Sequence, residues 1–530
     1  MSLTKGSITN IRNMRKYDYP LIKRIAKASK DINVTKIAEK YCEAQAIEYS
    51  ESVRKHINRI IIDLNLKSSL KNLESSNVYK EAQTKKVRKS KNYILTYAQA
   101  NTPIYKEVWE GVKKYAKETK AEIIVIPGTY QNPQSPYPEY STGWHPELVP
   151  YMFANEHKLN NYLTIISDAN VLPTAQRPLS GFEGITGEES SIVGHPRQHK
   201  EVVPTLPTSR DKIMATTGSI TIPNYRKARV GKKAEFNHVS GFLFVEIFDK
   251  EDFVMRHVSA KKDGSFQDIF YVVDKKGVRK NGTWEALILG DLHLGHHDRD
   301  MLNETFRLAR KSGVKDIVLH DIFDGRSINH HEQKDFVRQV INERNGVTLQ
   351  RELDEMVAWL EENKNKQWRF VNIPSNHNDW LDKWVRLGNG RSDIKNAMLY
   401  NEFQKVLFDE GAPNGLVAYY IDQNSKNVLS LGRNDSFKVK GFELNNHGDL
   451  GANGARGAMN TFRKLNVKIV SGDKHFLYTV DGAHGVGIST TKFMGYNKGL
   501  SSWTQSHGVV NSLGKFQHLM FVGGKFTKLF

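Results

Sequence analysis

Along the chain the spacing of apolar residues changes character, and each change predicts a different kind of element. In "TKIAEKYCEAQAIEYSESVRKHINRI" apolar residues recur every three or four positions, the period of a helix with one buried face. Ile37, Ala38, Val53 and Ile57 then fall where two short helices bury them against each other, and the second helix opens near Ser50, whose hydroxyl suits an N-cap. Residues 1–75 are expected to be helical, and 76–92, which contain "TKKVRKSKN", to be a basic linker.

From residue 93 the apolar runs become short and β-rich. "NYILTYAQA" and "AEIIVIPG" flank a helical "PIYKEVWEGVKKYAKETK", the order of a βαβ unit, and "YLTIISDA", "GFLFVEIF" and "QDIFYVVD" follow as further strands. This predicts an α/β domain over 93–282 whose role is not legible. Over 283–530 strand and helix alternate: "EALILGD" before "DRDMLNETFRLARKSG", "DIVLHD" before a tract through "ELDEMVAWLEENK", and "WRFVNIPSN" before another helix. After about 415 the runs "LVAYYI", "VLSLG", "SFKVKGFELNN", "VKIVSGD" and "LYTVDG" predict mainly strands. The fold class is α/β, and no internal repeat is legible.

Composition narrows the setting. A chain of 530 residues is too long for one ordinary core. It has no apolar run of membrane-spanning length and no apolar leader at its start, so a cytoplasmic protein without a membrane partner is expected. The single cysteine, Cys42, excludes an intrachain disulfide and a cysteine-based zinc site. Net charge is +19, and residues 1–92 carry 21 basic against 9 acidic residues. That concentration suits a polyanion, nucleic acid first. The helix after Ser50 would expose Ser52, Arg54, Lys55 and Arg59 and resembles the second helix of a helix-turn-helix, which makes DNA the expected partner. A plain helical packing or oligomerisation module stays open, as does assembly into a homo-oligomer.

The chemistry lies at strand ends beyond 283. Asp291 and His293 follow the first strand, Asp321, Asp324 and Arg326 the second, and Asn376 and His377 the third; His447 and then Asp473 and His475 follow later runs. Such residues at successive strand ends converge on one edge of a sheet. Mixed imidazole, carboxylate and amide ligands without thiolates suit two divalent cations, and a phosphodiester needs such a pair to activate water and neutralise developing charge. One carboxylate must bridge the ions, and Asp321 fits that place.

Asp-x-His, an Asp-x-x-Asp group, Asn-His, a lone His and a final x-x-His resemble, in order and spacing from 290 to 476, the signature of the calcineurin-like metallophosphoesterases. The resemblance implies a four-layer α/β/β/α sandwich at the C-terminus. It implies that Asp291, His293, Asp321 and His475 hold one metal, that Asp321, Asn376 and His447 hold the other, that His377 stabilises the transition state or protonates the leaving oxygen, and that Arg326 contacts phosphate. His320 and Ser375 replace glycines of the pattern, Asn378 replaces an acid, and Asp473 replaces its first C-terminal histidine. A carboxylate at 473 shifts selectivity toward Mn2+, with Mg2+ or Fe2+ as alternatives. With the basic N-terminus, the resemblance implies a DNA nuclease, similar in size and phosphoesterase segment to enzymes with which some tailed phages destroy host DNA; such a protein would work in the host cytoplasm. Alternatives are a phosphatase or phosphodiesterase for a small nucleotide or phosphoprotein, and a non-catalytic DNA-binding protein with a vestigial site.

Overall fold

A computed structural model describes residues 18–28, 34–63, 78–137, 143–206, 208–329, 335–494 and 497–529. The chain is mixed α/β. Among the described residues, its first part is three helices, Tyr19–Ala28, Val34–Gln45 and Glu51–Asp63. Leu21, Ile22, Ile37, Ala38, Ile57 and Ile60 form their shared core, with Val53 against it. Ser50 Oγ accepts from the Val53 amide at 3.3 Å and so caps the third helix. Of the stretch expected to be a linker, residues 78–84 form a helix that packs Val78, Tyr79 and Ala82 on the next core. Its basic tract is exposed at Lys85, Lys86, Arg88 and Lys89.

The remainder is built on two large facing layers of sheet. Helix Arg299–Ser312 shows how sequence sets its elements: Asp298 caps the first turn by accepting from the Met301 amide, Gly313 ends the last in the left-handed region, and Met301, Leu302, Phe306 and Ala309 are buried at helical spacing. That helix and its neighbours Leu349–Glu362, Asn376–Arg386 and Leu416–Asn424 cover one face of a six-stranded sheet through Leu287, Ile317 and Phe370. The opposite face, with Ala286, Ile288, Val318 and Val371, meets Phe442 and Val470 of a ten-stranded sheet. Each such fully buried aliphatic side chain contributes about 1.5–3 kcal/mol. The run "LVAYYI", expected as a strand, is part of helix Leu416–Asn424. A short apolar run does not distinguish the two states; Leu416, Val417 and Ile421 join the helical layer's core.

The ten-stranded sheet crosses the sequence boundary at 282, and it contains a repeat. In the second half, strand Trp284–Ile288 pairs in parallel with Asp316–Leu319 and antiparallel with Ser506–Asn511, which pairs antiparallel with Phe516–Met520. In the first half, Asn92–Gln99 pairs in parallel with Glu122–Gly128 and antiparallel with Gly241–Ile247, which pairs antiparallel with Phe253–Ser259. The facing sheets match as well. Strands Lys438–Val439, Phe442–Glu443, Lys468–Ser471, Ala483–Gly485 and Tyr478–Val480 lie in the same order and relative directions as Glu156–Asn160, Leu163–Ile166, Ser190–Val193, Lys212–Thr216 and Lys200–Val203. The two sets join edge to edge, antiparallel, at Thr479 and Lys200, so a pseudo-twofold axis relates them. The second copy adds strands Arg369–Asn372 and Val428–Ser430 and their helices. The repeat escapes the sequence because topology is kept while the polar strand ends are not.

Backbone pairing identifies one such exchange. The Asp291 amide donates to the Gly487 carbonyl and the Ser489 amide donates to the Asp291 carbonyl; the Tyr97 amide donates to the Gly218 carbonyl and the Ile220 amide to the Tyr97 carbonyl. Tyr97 thus stands in the first copy where Asp291 stands in the second. Its hydroxyl is buried without a hydrogen bond and lies against Gly128, where any Cβ would collide with it. Tyr97→Phe is expected to leave stability unchanged or raise it by up to about 1 kcal/mol, because an unpaired buried hydroxyl contributes only its desolvation cost. A melting temperature that falls by several degrees would reveal a hydrogen bond to that hydroxyl.

Candidate metal centre

Each polar group of the second copy follows a buried strand, and the strand's irregular exit aims it. Leaving the regular ladder forces the backbone of His293, Asp321, Asp473 and His475 into the left-handed region, with φ of 40°, 43°, 61° and 61°. Non-glycine residues adopt this conformation at a cost that surrounding structure must offset, and such residues cluster at functional sites. Asn376 opens helix Asn376–Arg386, which Ser375 caps through the Asn378 amide.

These exits bring Asp291, His293, Asp321 and His475 into one group whose ligand atoms lie close enough to share an ion. His475 Nε2 lies 3.1 Å from Asp291 Oδ2 and 3.5 Å from His293 Nε2, and His293 Nε2 lies 3.8 Å from Asp321 Oδ2. On the other side of Asp321, His447 Nε2 lies 3.1 Å from the same carboxylate oxygen. Asp473 turns Oδ1 toward His447 at 4.0 Å and pairs Oδ2 with Lys474 at 2.6 Å. Arg326 sits between Asp324 and Glu352, at 3.5 and 3.6 Å from Nε, beneath Gly295. Among the described residues, every group of three or more acids and histidines able to hold a metal lies in this region of the second copy.

The satisfaction of these atoms is as informative as their distances. Both oxygens of Asp291, Asp321 Oδ1, Asn376 Oδ1 and His447 Nε2 are buried and make no hydrogen bond. Buried polar atoms are nearly always paired, so four such atoms on the clustered Asp291, Asp321 and His447, with a fifth on Asn376 next to His377, whose ring lies 4.7 Å from that of His293, point to a partner other than protein. Their donor set of two carboxylates, an amide oxygen and an imidazole fits a divalent cation. The electrostatics agree. Burial opposes a charged imidazole at His293 and His447, yet the surrounding carboxylates overcome it and raise their pKa values to about 9 and about 10. A site that draws protons this strongly draws cations.

Asp324, which the sequence places at a strand end without a ligand role, and Glu352, His320 and Arg433, to which it gives no site role, support this set. Asp324 Oδ1 faces His293 Nδ1 at 3.0 Å, leaving Nε2 toward the metal group, and its backbone carbonyl accepts from His377 Nδ1 at 2.8 Å. Glu352 accepts from the amides of Arg326 and Ser327 and pins that loop. His320 places Nδ1 3.1 Å from His447 Nδ1, and burial lowers its pKa to about 4. Arg433 clamps the two ligand loops together, reaching Asp379 at 2.9 Å and Asp449 at 2.8 Å. The Asp-x-x-Asp spacing was the available signal for Asp324; the other contacts join residues remote in sequence.

Gly472 sets how closely these loops approach. A Cβ there would lie 2.2 Å from Asp291 Oδ1 and 2.8 Å from His320 Nδ1. Gly472→Ala is expected to weaken Mn2+ binding about 10-fold or more while the far-UV spectrum stays native, as calorimetric titration would record. Unchanged affinity would mean that Asp291 is not a ligand.

On the N-terminal helices, Ser52 and Lys55 are exposed and Arg54 is half-buried in an ion pair with Glu51, while Arg59 lies in the same helix Glu51–Asp63. Among the described residues, no helix is long and apolar enough to cross a membrane. No family model matches the chain, and no solved structure matches it. Among curated proteins it is similar to Protein A1 of Escherichia phage T5, with 28% identity over 466 residues that cover 83% of each chain.

Proposed function

We propose that this protein is a metal-dependent DNA nuclease that hydrolyses phosphodiester bonds at a two-metal centre, and that its second copy is the four-layer sandwich of the calcineurin-like metallophosphoesterases. The observation that carries the reading is the set of buried, unbonded ligand atoms on Asp291, Asp321, Asn376 and His447 around one carboxylate. Helices on one face of the six-stranded sheet, the facing sheet, and helix Met459–Phe462 packed outside it through Phe462, Ile469 and Tyr478 support the sandwich.

Asp291, His293, Asp321 and His475 would hold one ion, and Asp321, Asn376, His447 and Asp473 the other, with Mn2+ best suited to the oxygen-rich second set. Bound there, the ions supply an activated water and neutralise charge developing at phosphorus. The chain's own residues do the rest. Asp321 orients both ligand sets by standing between His293 and His447. His377 donates Nδ1–H to the Asp324 carbonyl, which leaves Nε2 for the leaving oxygen, and burial lowers its pKa, which makes the imidazolium a stronger acid: its Nε2 proton would pass to the leaving oxygen and the ring would return to neutral. Arg326 is the nearby guanidinium for a substrate phosphate. The exposed cations of residues 85–89 and the helix carrying Ser52, Lys55, Arg54 and Arg59 provide the DNA-binding surface.

The test is digestion of circular and linear DNA with Mn2+, Mg2+ or EDTA across a range of salt. Cleavage with Mn2+ that EDTA abolishes and that falls steeply with salt is expected, and removal of residues 1–92 should flatten the salt slope. Hydrolysis of small phosphodiesters without DNA cleavage would overturn the nuclease in favour of a small-molecule phosphodiesterase. DNA binding without hydrolysis under any metal would leave only a DNA-binding protein.

A further inference from the structure

One helix of the first copy carries more charge than the fold uses. Arg226, Lys227, Arg229, Lys232 and Lys233 fall within eight residues that contain no acid, and all five are exposed. Among the described residues none of the five makes an ion pair, whereas other surface cations of the same copy do, as Arg210 with Glu251 at 2.5 Å and Lys113 with Glu110 at 2.7 Å. Within helix Arg229–Phe236 the buried positions are Gly231 and Ala234. Arg229, Lys232, Lys233 and Phe236 recur at i, i+3, i+4 and i+7 and so share the opposite side, where Phe236 is 87% exposed. That spacing is ordinarily the buried stripe of a helix, and here it faces solvent. It does not serve the helix itself, because Arg229 stands in the first turn, where the dipole favours an acid and none is present.

The stripe is nevertheless held in place. The Arg226 amide donates to Tyr130 Oη at 3.4 Å and the Lys227 amide to Gln134 Oε1 at 3.0 Å, which ties the lead-in to the loop after strand Glu122–Gly128. Beyond the helix, His238 Nδ1 accepts from Tyr225 Oη at 2.6 Å and Nε2 donates to the Thr221 carbonyl at 2.9 Å. The Ser219 amide donates to the Val239 carbonyl as the Ile488 amide does to the Thr504 carbonyl, so this segment stands in the first copy where 488–504 stands beside the metal centre. The neighbouring strand ends in Tyr97 and Gln99, where the second copy has Asp291 and His293, and among the described residues no group able to hold a metal lies there. Because the copies join antiparallel at Thr479 and Lys200, the two edges point in opposite senses. One edge presents ligands and the other presents cations.

We propose that helix Arg229–Phe236 and its lead-in grip the phosphate backbone of duplex DNA, as a second contact remote from the metal centre. This rests on DNA being the substrate and adds the first copy's part in holding it. Charge complementarity names the occupant. At about 1.5 Å per residue the helix is about 12 Å long and spans about three to four phosphates of one strand, which rise about 3.4 Å each. Cations on phosphates carry no sequence information, so the contact prolongs the stay on any duplex and leaves the chemistry to the other edge.

The test measures binding of the full-length protein to a labelled blunt duplex in EDTA while salt is varied. Lys232→Gln with Lys233→Gln should weaken binding about 10-fold or more at about 0.1 M salt and lower the slope of log K against log salt by about 2; adding Arg229→Gln should lower it by about 3. Lys232→Arg with Lys233→Arg should bind as the wild type does. Lys275→Gln with Lys276→Gln removes the same charge from the exposed turn between strands Tyr271–Asp274 and Gly277–Arg279 and should change neither affinity nor slope. Equal losses in the two Gln pairs would overturn the proposal, because net charge alone would then set affinity. Unchanged DNA binding in the helix pair would overturn it too, and loss of binding to phosphatidylserine vesicles in that pair would then make the stripe a membrane-surface contact. Hydrolysis with Mn2+, measured separately, decides the nuclease reading: failed hydrolysis with the expected slopes leaves this contact standing, and unchanged slopes with hydrolysis intact remove this contact alone.

Discussion

Asp321→Asn is expected to lower the rate of phosphodiester hydrolysis about a thousandfold with little change in the fold. The carboxylate lies within 3.8 Å of His293 Nε2 and 3.1 Å of His447 Nε2, on the line between the two ligand sets. An amide would present one neutral oxygen where the proposed pair of ions would need a shared anion. The loss corresponds to about 4 kcal/mol of transition-state charge stabilisation, the scale of metal Lewis-acid catalysis. A second readout separates this from misfolding. Burial works against a charged His447 and the Asp321 carboxylate foremost overcomes it, so the substitution should move the His447 pKa down from about 10. Histidine proton resonances followed with pH in the metal-free protein would show this. A variant that keeps full activity would remove Asp321 from the bridging position.

The largest effect on stability is expected at a site without catalytic chemistry. Arg256 is fully buried and donates to Asp268 through Nε and Nη2 at 2.5 and 2.8 Å and to Glu246 through Nη1 at 2.5 Å. Asp268 also accepts from Tyr115 and Gln517, and Glu246 accepts from Thr527 and the Lys528 amide. The network thereby ties the first copy's sheet to strand Phe516–Met520 and the chain's last residues. Arg256→Ala leaves two buried carboxylates without their counter-charge, which costs about 3–5 kcal/mol. The urea midpoint should fall accordingly. A loss below about 1 kcal/mol would mean that water or another cation replaces the guanidinium.

Much of the site was legible because each of its groups is a short motif at the end of an apolar run. Asp291, His293, Asp321, Asn376, His447 and His475 could be read in order, and the fold brings Asp291, His293, Asp321, His447 and His475 together. The departures at 320 and 473 were visible as residues, but their consequences were not. His320 meets His447 across 127 residues, and Asp473 divides its oxygens between Lys474 and His447.

The fold was legible element by element where periodicity was clear, as in "DRDMLNETFRLARKSG", and misread at "LVAYYI", where burial on most sides hides the period. The tandem arrangement was hidden for a different reason. Topology is conserved by strand order and direction, which many sequences satisfy, whereas the eye finds repeats through side chains. At the matched position one copy carries Asp291 and the other Tyr97, an anion and a phenol with opposite demands on their surroundings.

The central claim is a pair of divalent ions sharing Asp321, and counting them tests it most directly. Equilibrium dialysis against Mn2+, followed by electron paramagnetic resonance of the bound ions, should give two per chain with a spin-coupled signal, and one or none in Asp321→Asn. Saturation at fewer than two ions in the wild type, or two magnetically isolated ions, would contradict the account.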